Sequence, residues 1–259
     1  MIDLESGGLL FGDEDEAGGD LFSRNLAVLR DIAPAVADHI EAIEAPISRV
    51  VGSAEEGTLN IDLGHTAFYD GGAVAYSENQ VENFLESPRR IEMPLYKKQL
   101  DTILCNQRVV NDMVDWLAER DLKTAVKPDR DGGYLIVLGL GLGLAIERLI
   151  EELPVRNLVI VEQFPEFVLH AMETADWTRW RDMLEERGGS MRLILAQDHY
   201  MAANQLYTHV RNHHFGLIDG SYMLLHYQSS FTRGALDEIV SRLPVIAANP
   251  GFFEDELVM

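Results

Sequence analysis

The sequence predicts a doubly wound parallel α/β domain preceded by a smaller α+β module, on three observations. Four short apolar runs, Tyr134–Leu138, Leu158–Val161, Met191–Leu195 and Phe215–Ile218, are separated by segments of helical spacing, as in βαβ units on a parallel sheet. A glycine-rich turn, Gly139-Leu140-Gly141-Leu142-Gly143, joins the first run to a helix over 144–152. Ahead of them, between 21 and 125, the apolar period switches from helical to alternating and back.

Residues 1–20 hold Asp3, Glu5, Asp13, Glu14, Asp15, Glu16 and Asp20 with no basic residue, so they read as a disordered acidic tail. From Leu21 a helix follows from the spacing of Leu26, Leu29, Ala33, Val36 and Ile40, and Pro34 restarts or kinks it. Thr58 to Leu63 alternate and Ala67 to Tyr69 lead into Asp70-Gly71-Gly72, which predicts a small β-ribbon between Pro46 and Gly72. A short helix ends near Ser87-Pro88. Leu100, Ile103, Leu104, Val110, Met113, Val114 and Leu117 then form one apolar stripe on a long helix. These elements make an α+β module over 21–125, and 126–259 make the doubly wound domain, with Val245–Ala248 expected as its fifth strand.

The 259 residues include 21 Lys or Arg against 43 Asp or Glu, a formal charge of −22. Such a surface repels phosphate, so nucleic acid is excluded as a partner and an anionic membrane is unfavourable. No apolar run approaches the roughly 18 residues of a spanning helix. One cysteine, Cys105, permits no internal disulfide, and the first residues lack the basic and apolar regions of a signal peptide. A cytoplasmic location is expected.

The glycine turn is where chemistry is expected. Glycines there let the backbone turn sharply and approach a ligand at a helix N-terminus. The spacing is not G-x-G-x-x-G, because position 144 is Leu144. Glu162 ends the second run, where an acid can accept from ribose hydroxyls, and Asp198 follows the third, where it can meet an adenine edge. Gly139, Gly141, Gly143, Glu162 and Asp198 together resemble the cofactor site of class I methyltransferases, which implies S-adenosylmethionine. Val137 stands where those enzymes usually carry an acid. The competing reading makes the glycines a packing device and the two acids solvated strand ends.

His209 and His213 stand four apart beside His214 and near His199, but no glutamate completes H-E-x-x-H and Arg211 falls within the interval. They read as ordinary histidines, with no metal expected. Cys105 reads as a core residue. No G-x-S-x-G elbow or P-loop occurs, and no catalytic residue is assigned.

Three further motifs carry a resemblance: Phe22-Ser23-Arg24-Asn25-Leu26 with Leu29 and Pro34; Leu59-Asn60 leading to Phe68-Tyr69-Asp70; and Leu138 to Gly143 continued by Val159-Ile160-Val161-Glu162. With these, residues 21–250 resemble the N-terminal part of the motility-associated factor family, bacterial glycosyltransferases that modify flagellin with nonulosonic, sialic-acid-like sugars. The resemblance implies a Rossmann-like fold in an accessory domain, with a protein acceptor such as flagellin as partner or a nucleotide-type ligand such as a CMP-sugar. The family assigns sugar transfer to a central segment of the type G-x-G-P-S-L, which this sequence lacks, so no catalytic residue carries over. A methyltransferase and an empty Rossmann-like interaction module are the alternatives.

Overall fold

The computed structural model describes residues 14–91, 105–122, 132–213 and 218–248. Among these, helices α1 (Glu14–Ile32) and α2 (Pro34–Glu41) lead into a ribbon of β1 (Arg49–Val51) and β2 (Asn60–Asp62), followed by α3 (Ala73–Glu86) and α4 (Cys105–Glu119). The sheet domain then runs β3 (Gly132–Leu138), α5 (Ile146–Glu152), β4 (Val155–Glu162), α6 (Pro165–Thr174), α7 (Trp177–Glu186), β5 (Met191–Leu195), α8 (His199–Asn212), β6 (Tyr222–Leu225) and α9 (Ser230–Ala248).

Strands β3 to β6 form one parallel sheet in the order β5-β4-β3-β6, and β1 pairs with β2 antiparallel. Successive strand residues face opposite sides, so β3 splits its apolar run between two cores. Leu135 and Val137 pack with α1, α2, α5, α6 and α7, while Tyr134, Ile136 and Leu138 pack with α8 and α9. Both faces are covered, which is why these strands read as continuous apolar runs.

Pro34 opens α2 at the position where its missing N–H does no harm, as the sequence suggests. Asn25 welds α1 to the sheet domain: its amide donates to the carbonyls of Met172 (2.8 Å) and Ala175 (2.7 Å) and accepts from the amide of Trp177 (2.9 Å). Trp177 and Trp180 stack beneath this joint with ring centres 5.6 Å apart.

Three expectations are corrected. The last strand is Tyr222–Leu225, later than Phe215–Ile218, of which 215–217 lie outside the described residues. Val245–Ala248 form the end of α9 instead of a fifth strand. Helix α1 begins at Glu14, so 14–20 belong to a helix; 1–13 lie outside the described residues, as do Leu100, Ile103 and Leu104. No helix among the described residues is long and apolar enough to cross a membrane.

Candidate functional site

The helical connections change sides between β3 and β6, and the crevice at the C-terminal ends of these strands is where doubly wound proteins hold ligands. The glycine turn lies there, with Gly139, Gly141 and Gly143 at φ of +89°, +56° and +74°. An aromatic side chain of the same chain stands at each. A Cβ on Gly139 would lie 2.4 Å from the Tyr227 ring, one on Gly141 2.0 Å from the Tyr69 hydroxyl and 2.6 Å from His226 Nε2, and one on Gly143 2.8 Å from Trp180. The close approach that glycine permits is used by side chains of the fold itself.

Glu162 is fully buried. Its Oε2 accepts from the amide of Leu140 (2.7 Å), and its Oε1 accepts from the amides of Gln163 (2.6 Å) and Phe164 (2.9 Å) and from the Tyr227 hydroxyl (2.7 Å). Burial pushes this carboxyl above its ordinary range, while the three amides and the phenol pull against that shift. The same burial, reinforced by the Glu162 charge, keeps the Tyr227 phenol protonated as the donor.

A second chain of bonds closes the crevice from the ribbon. The amide of Leu142 donates to the Tyr69 hydroxyl (2.8 Å), which lies 3.0 Å from His226 Nε2, and His226 Nδ1 lies 2.7 Å from Gln80 Oε1. The Gln80 oxygen can only accept, so Nδ1 carries the imidazole proton and Nε2 accepts from Tyr69. Burial pushes His226 down to about 4, which keeps the ring neutral as this chain requires. Tyr76 (2.9 Å) and the Gln80 amide (2.7 Å) both donate to the His226 carbonyl. Asn60 fixes Tyr69 by accepting its backbone N–H (2.9 Å) and donating to its carbonyl (2.8 Å). Phe68 completes the lining, with ring centres 4.8 Å from Tyr69, 4.9 Å from Phe167 and 5.3 Å from Tyr227.

Strands of three residues do not hold a ribbon in place alone. Leu59, Ile61 and Tyr69 are buried against Leu142, Phe167 and Tyr227, at about 1.5–3 kcal/mol for each apolar side chain removed from water. The ribbon is thereby a lid seated on the glycine turn.

The structure therefore brings Gly139, Gly141, Gly143 and Glu162 together around one turn, with Glu162 bonded to the Leu140 amide within it. Asp198 sits outside it, exposed, capping α8 by accepting the amide of Met201 at 2.9 Å. His209 and His213 stack at 4.4 Å, and among the described residues no group of three or more side chains is arranged to hold a metal; His214 lies outside them. The side chain of Cys105 is likewise outside the description.

Sequence reasoning missed His226 and Tyr227 because the strand they follow was placed too early, and missed the roles of Tyr69 and Asn60 although both stood in a quoted motif. It also missed a Ser48, Glu166 and His170 cluster. Glu166 Oε2 accepts from Ser48 Oγ (2.5 Å) and from the Ser48 amide (3.0 Å), Oε1 accepts from the Ile47 amide (2.7 Å), and His170 Nε2 lies 3.0 Å from Ser48 Oγ. The serine hydroxyl donates to Glu166, so the imidazole donates to the hydroxyl oxygen and does not activate it. Partial burial raises the Glu166 carboxyl, but the Ser48 and Ile47 hydrogen bonds outweigh it and hold the group below its usual range. This cluster ties the start of the ribbon to α6.

Residues 21–248 match the family model of the glycosyltransferase Maf N-terminal domain. The chain belongs to that family. In a Maf glycosyltransferase from Magnetospirillum magneticum AMB-1 the same fold recurs, with a TM-score of 0.70 at 21% identity over 92% of this chain and 37% of that one. The present chain thus spans 37% of the length of that Maf transferase. A coclaurine N-methyltransferase bound to N-methylheliamine and SAH matches at 15% identity with a TM-score of 0.19, over 70% of this chain and 48% of that one. No curated protein matches the chain.

Proposed function

We propose that this Maf domain is an accessory module of a cytoplasmic glycosyltransferase, supporting transfer of nonulosonic sugars to flagellin by recognising the protein acceptor. The occupied crevice carries this reading: the turn amides of Leu140 and Leu142 meet Glu162 and Tyr69 of the same chain, at the place where a nucleotide would otherwise seat its anionic groups. The glycine turn on this view holds ribbon and sheet together, and recognition belongs to the outer surface.

The competing reading, with Gly139, Gly141, Gly143, Glu162 and Asp198 around S-adenosylmethionine or a CMP-sugar, requires Tyr69 and Tyr227 to leave. Thermal unfolding with S-adenosylmethionine, NAD, CMP and a CMP-linked sugar separates the two. A ligand at about 100 times its Kd stabilises the native state by roughly 2.7 kcal/mol, which raises Tm by several degrees in a chain of this size. The accessory reading expects unchanged Tm with all four and retention of flagellin in a pull-down. A shift that disappears in Glu162→Ala would replace it with the nucleotide reading.

A further inference from the structure

Between α3 and the outer edge of β6 runs a groove of about 660 Å³. Its helical wall is held in place by Tyr76 and Gln80, which both donate to the His226 carbonyl, so these two side chains are spent on the fold. Asn79 and Asn83 stand beside them in the lining, exposed, with Ser87 at the end of the helix. Asn83 gives one N–H to the Asn79 carbonyl (2.7 Å) and keeps its side-chain oxygen and second N–H. Among the described residues the Asn79 carboxamide meets no partner.

The floor is the strand itself. Met223 donates outward to the Arg89 carbonyl (2.9 Å) while His226 donates to Leu138 of β3 (3.0 Å), so the odd residues of β6 turn their backbone groups away from the sheet. The N–H of Leu225, a half-buried residue of the lining, is therefore on the groove side, and no strand among the described residues pairs with it. In a chain with 43 acidic residues against 21 basic, the lining holds one acid, Asp70, and one base, Arg89. The remaining polar groups are carboxamides and hydroxyls, so nothing in the groove selects a charge.

We infer that this groove binds an extended, uncharged segment of the acceptor polypeptide, with its peptide groups held by Asn79, Asn83 and the Leu225 N–H. The inference rests on the accessory reading above and gives its acceptor a place on the molecule. Positions four apart on a helix rise by about 6 Å, so Asn79, Asn83 and Ser87 repeat at nearly the spacing of every second residue of an extended chain, about 6.2–6.8 Å. Each carboxamide offers a donor and an acceptor, as a peptide unit requires. A carbohydrate also bonds to carboxamides, but it has no such repeat to match the helix. Since Tyr76 and Gln80 already fix the wall, little ordering is left for binding to supply.

The test titrates the full chain, isotope-labelled, with an end-blocked peptide of about eight alternating serine and threonine residues and follows its amide resonances. The side-chain amides of Asn79 and Asn83 and the backbone amide of Leu225 are expected to shift together. The double substitution Asn79→Ala with Asn83→Ala, both on the exposed face, is expected to weaken binding roughly 10-fold or more, as is backbone N-methylation of the peptide. Shifts confined to other residues, equal binding of the N-methylated peptide, indifference to the double substitution, or occupation of the groove by maltohexaose and not by the peptide overturns the proposal. The flagellin pull-down separates this site from the reading beneath it. Retention lost in the double variant supports both, and retention unchanged in that variant removes the groove alone. Peptide binding at these residues without retention of flagellin by the unaltered chain removes the accessory reading and keeps the groove as a peptide site.

Discussion

The hydroxyl of Tyr69 lies 3.0 Å from Nε2 of His226, joining the ribbon to the residue that follows the last strand of the sheet, across the crevice between them. The same hydroxyl accepts the Leu142 amide, so one oxygen ties three separate parts of the chain. Tyr69→Phe leaves a buried donor and a buried acceptor without partners, at about 1–3 kcal/mol. Urea unfolding of the two proteins checks it; equal midpoints would show that the oxygen is dispensable.

His226 is neutral in the fold because burial lowers it from 6.5 to about 4. The unfolded chain takes up this proton at higher pH than the native one, so the contribution is complete above about pH 6.5 and is lost as pH falls toward about 4. It amounts to about 3 kcal/mol. Denaturation measured across that window should show the slope, and His226→Gln should flatten it.

The glycine turn predicts a contrast between two substitutions. Gly188 has φ +69° with open space where a Cβ would stand, so Gly188→Ala meets only the left-handed backbone, at about 1–2 kcal/mol. Gly141→Ala meets that and drives into Tyr69 and His226, for a further 1–3 kcal/mol or so. Calorimetric Tm values of the two variants should separate accordingly.

Asn25 offers two donors and one acceptor, and all three are used in a fully buried position. Asn25→Asp places a carboxylate against two carbonyl oxygens, which should destabilise the fold by about 3–5 kcal/mol at neutral pH, with partial recovery as the acid is protonated. Unfolding at two pH values tests both parts.

The sheet was legible because β3, β4 and β5 are buried on both faces and read as apolar runs, that of β5 broken only by Arg192. β6 was displaced because its Tyr222 to Leu225 run is short and follows other apolar residues, and that error hid His226 and Tyr227. Glu162 and the glycines were found as a group, since their spacing reflects the strand ends that gather them. What spacing could not reveal was which partner each would meet: Tyr69 lies 157 residues from His226 in sequence. A crevice filled by a ligand and one filled by a phenol require the same glycines.

That separation bears on how the molecule is made. At about 5–20 residues per second, Tyr69 leaves the ribosome roughly 8–30 s before His226, 157 residues later, exists to receive it. Early in that interval, before Leu142 and Phe167 are made, Ile61, Phe68 and Tyr69 lack the core they enter. The seat of the ribbon is thus finished late although the ribbon is synthesised early, and until then the nascent chain carries an uncovered aromatic segment that holdase chaperones can shelter.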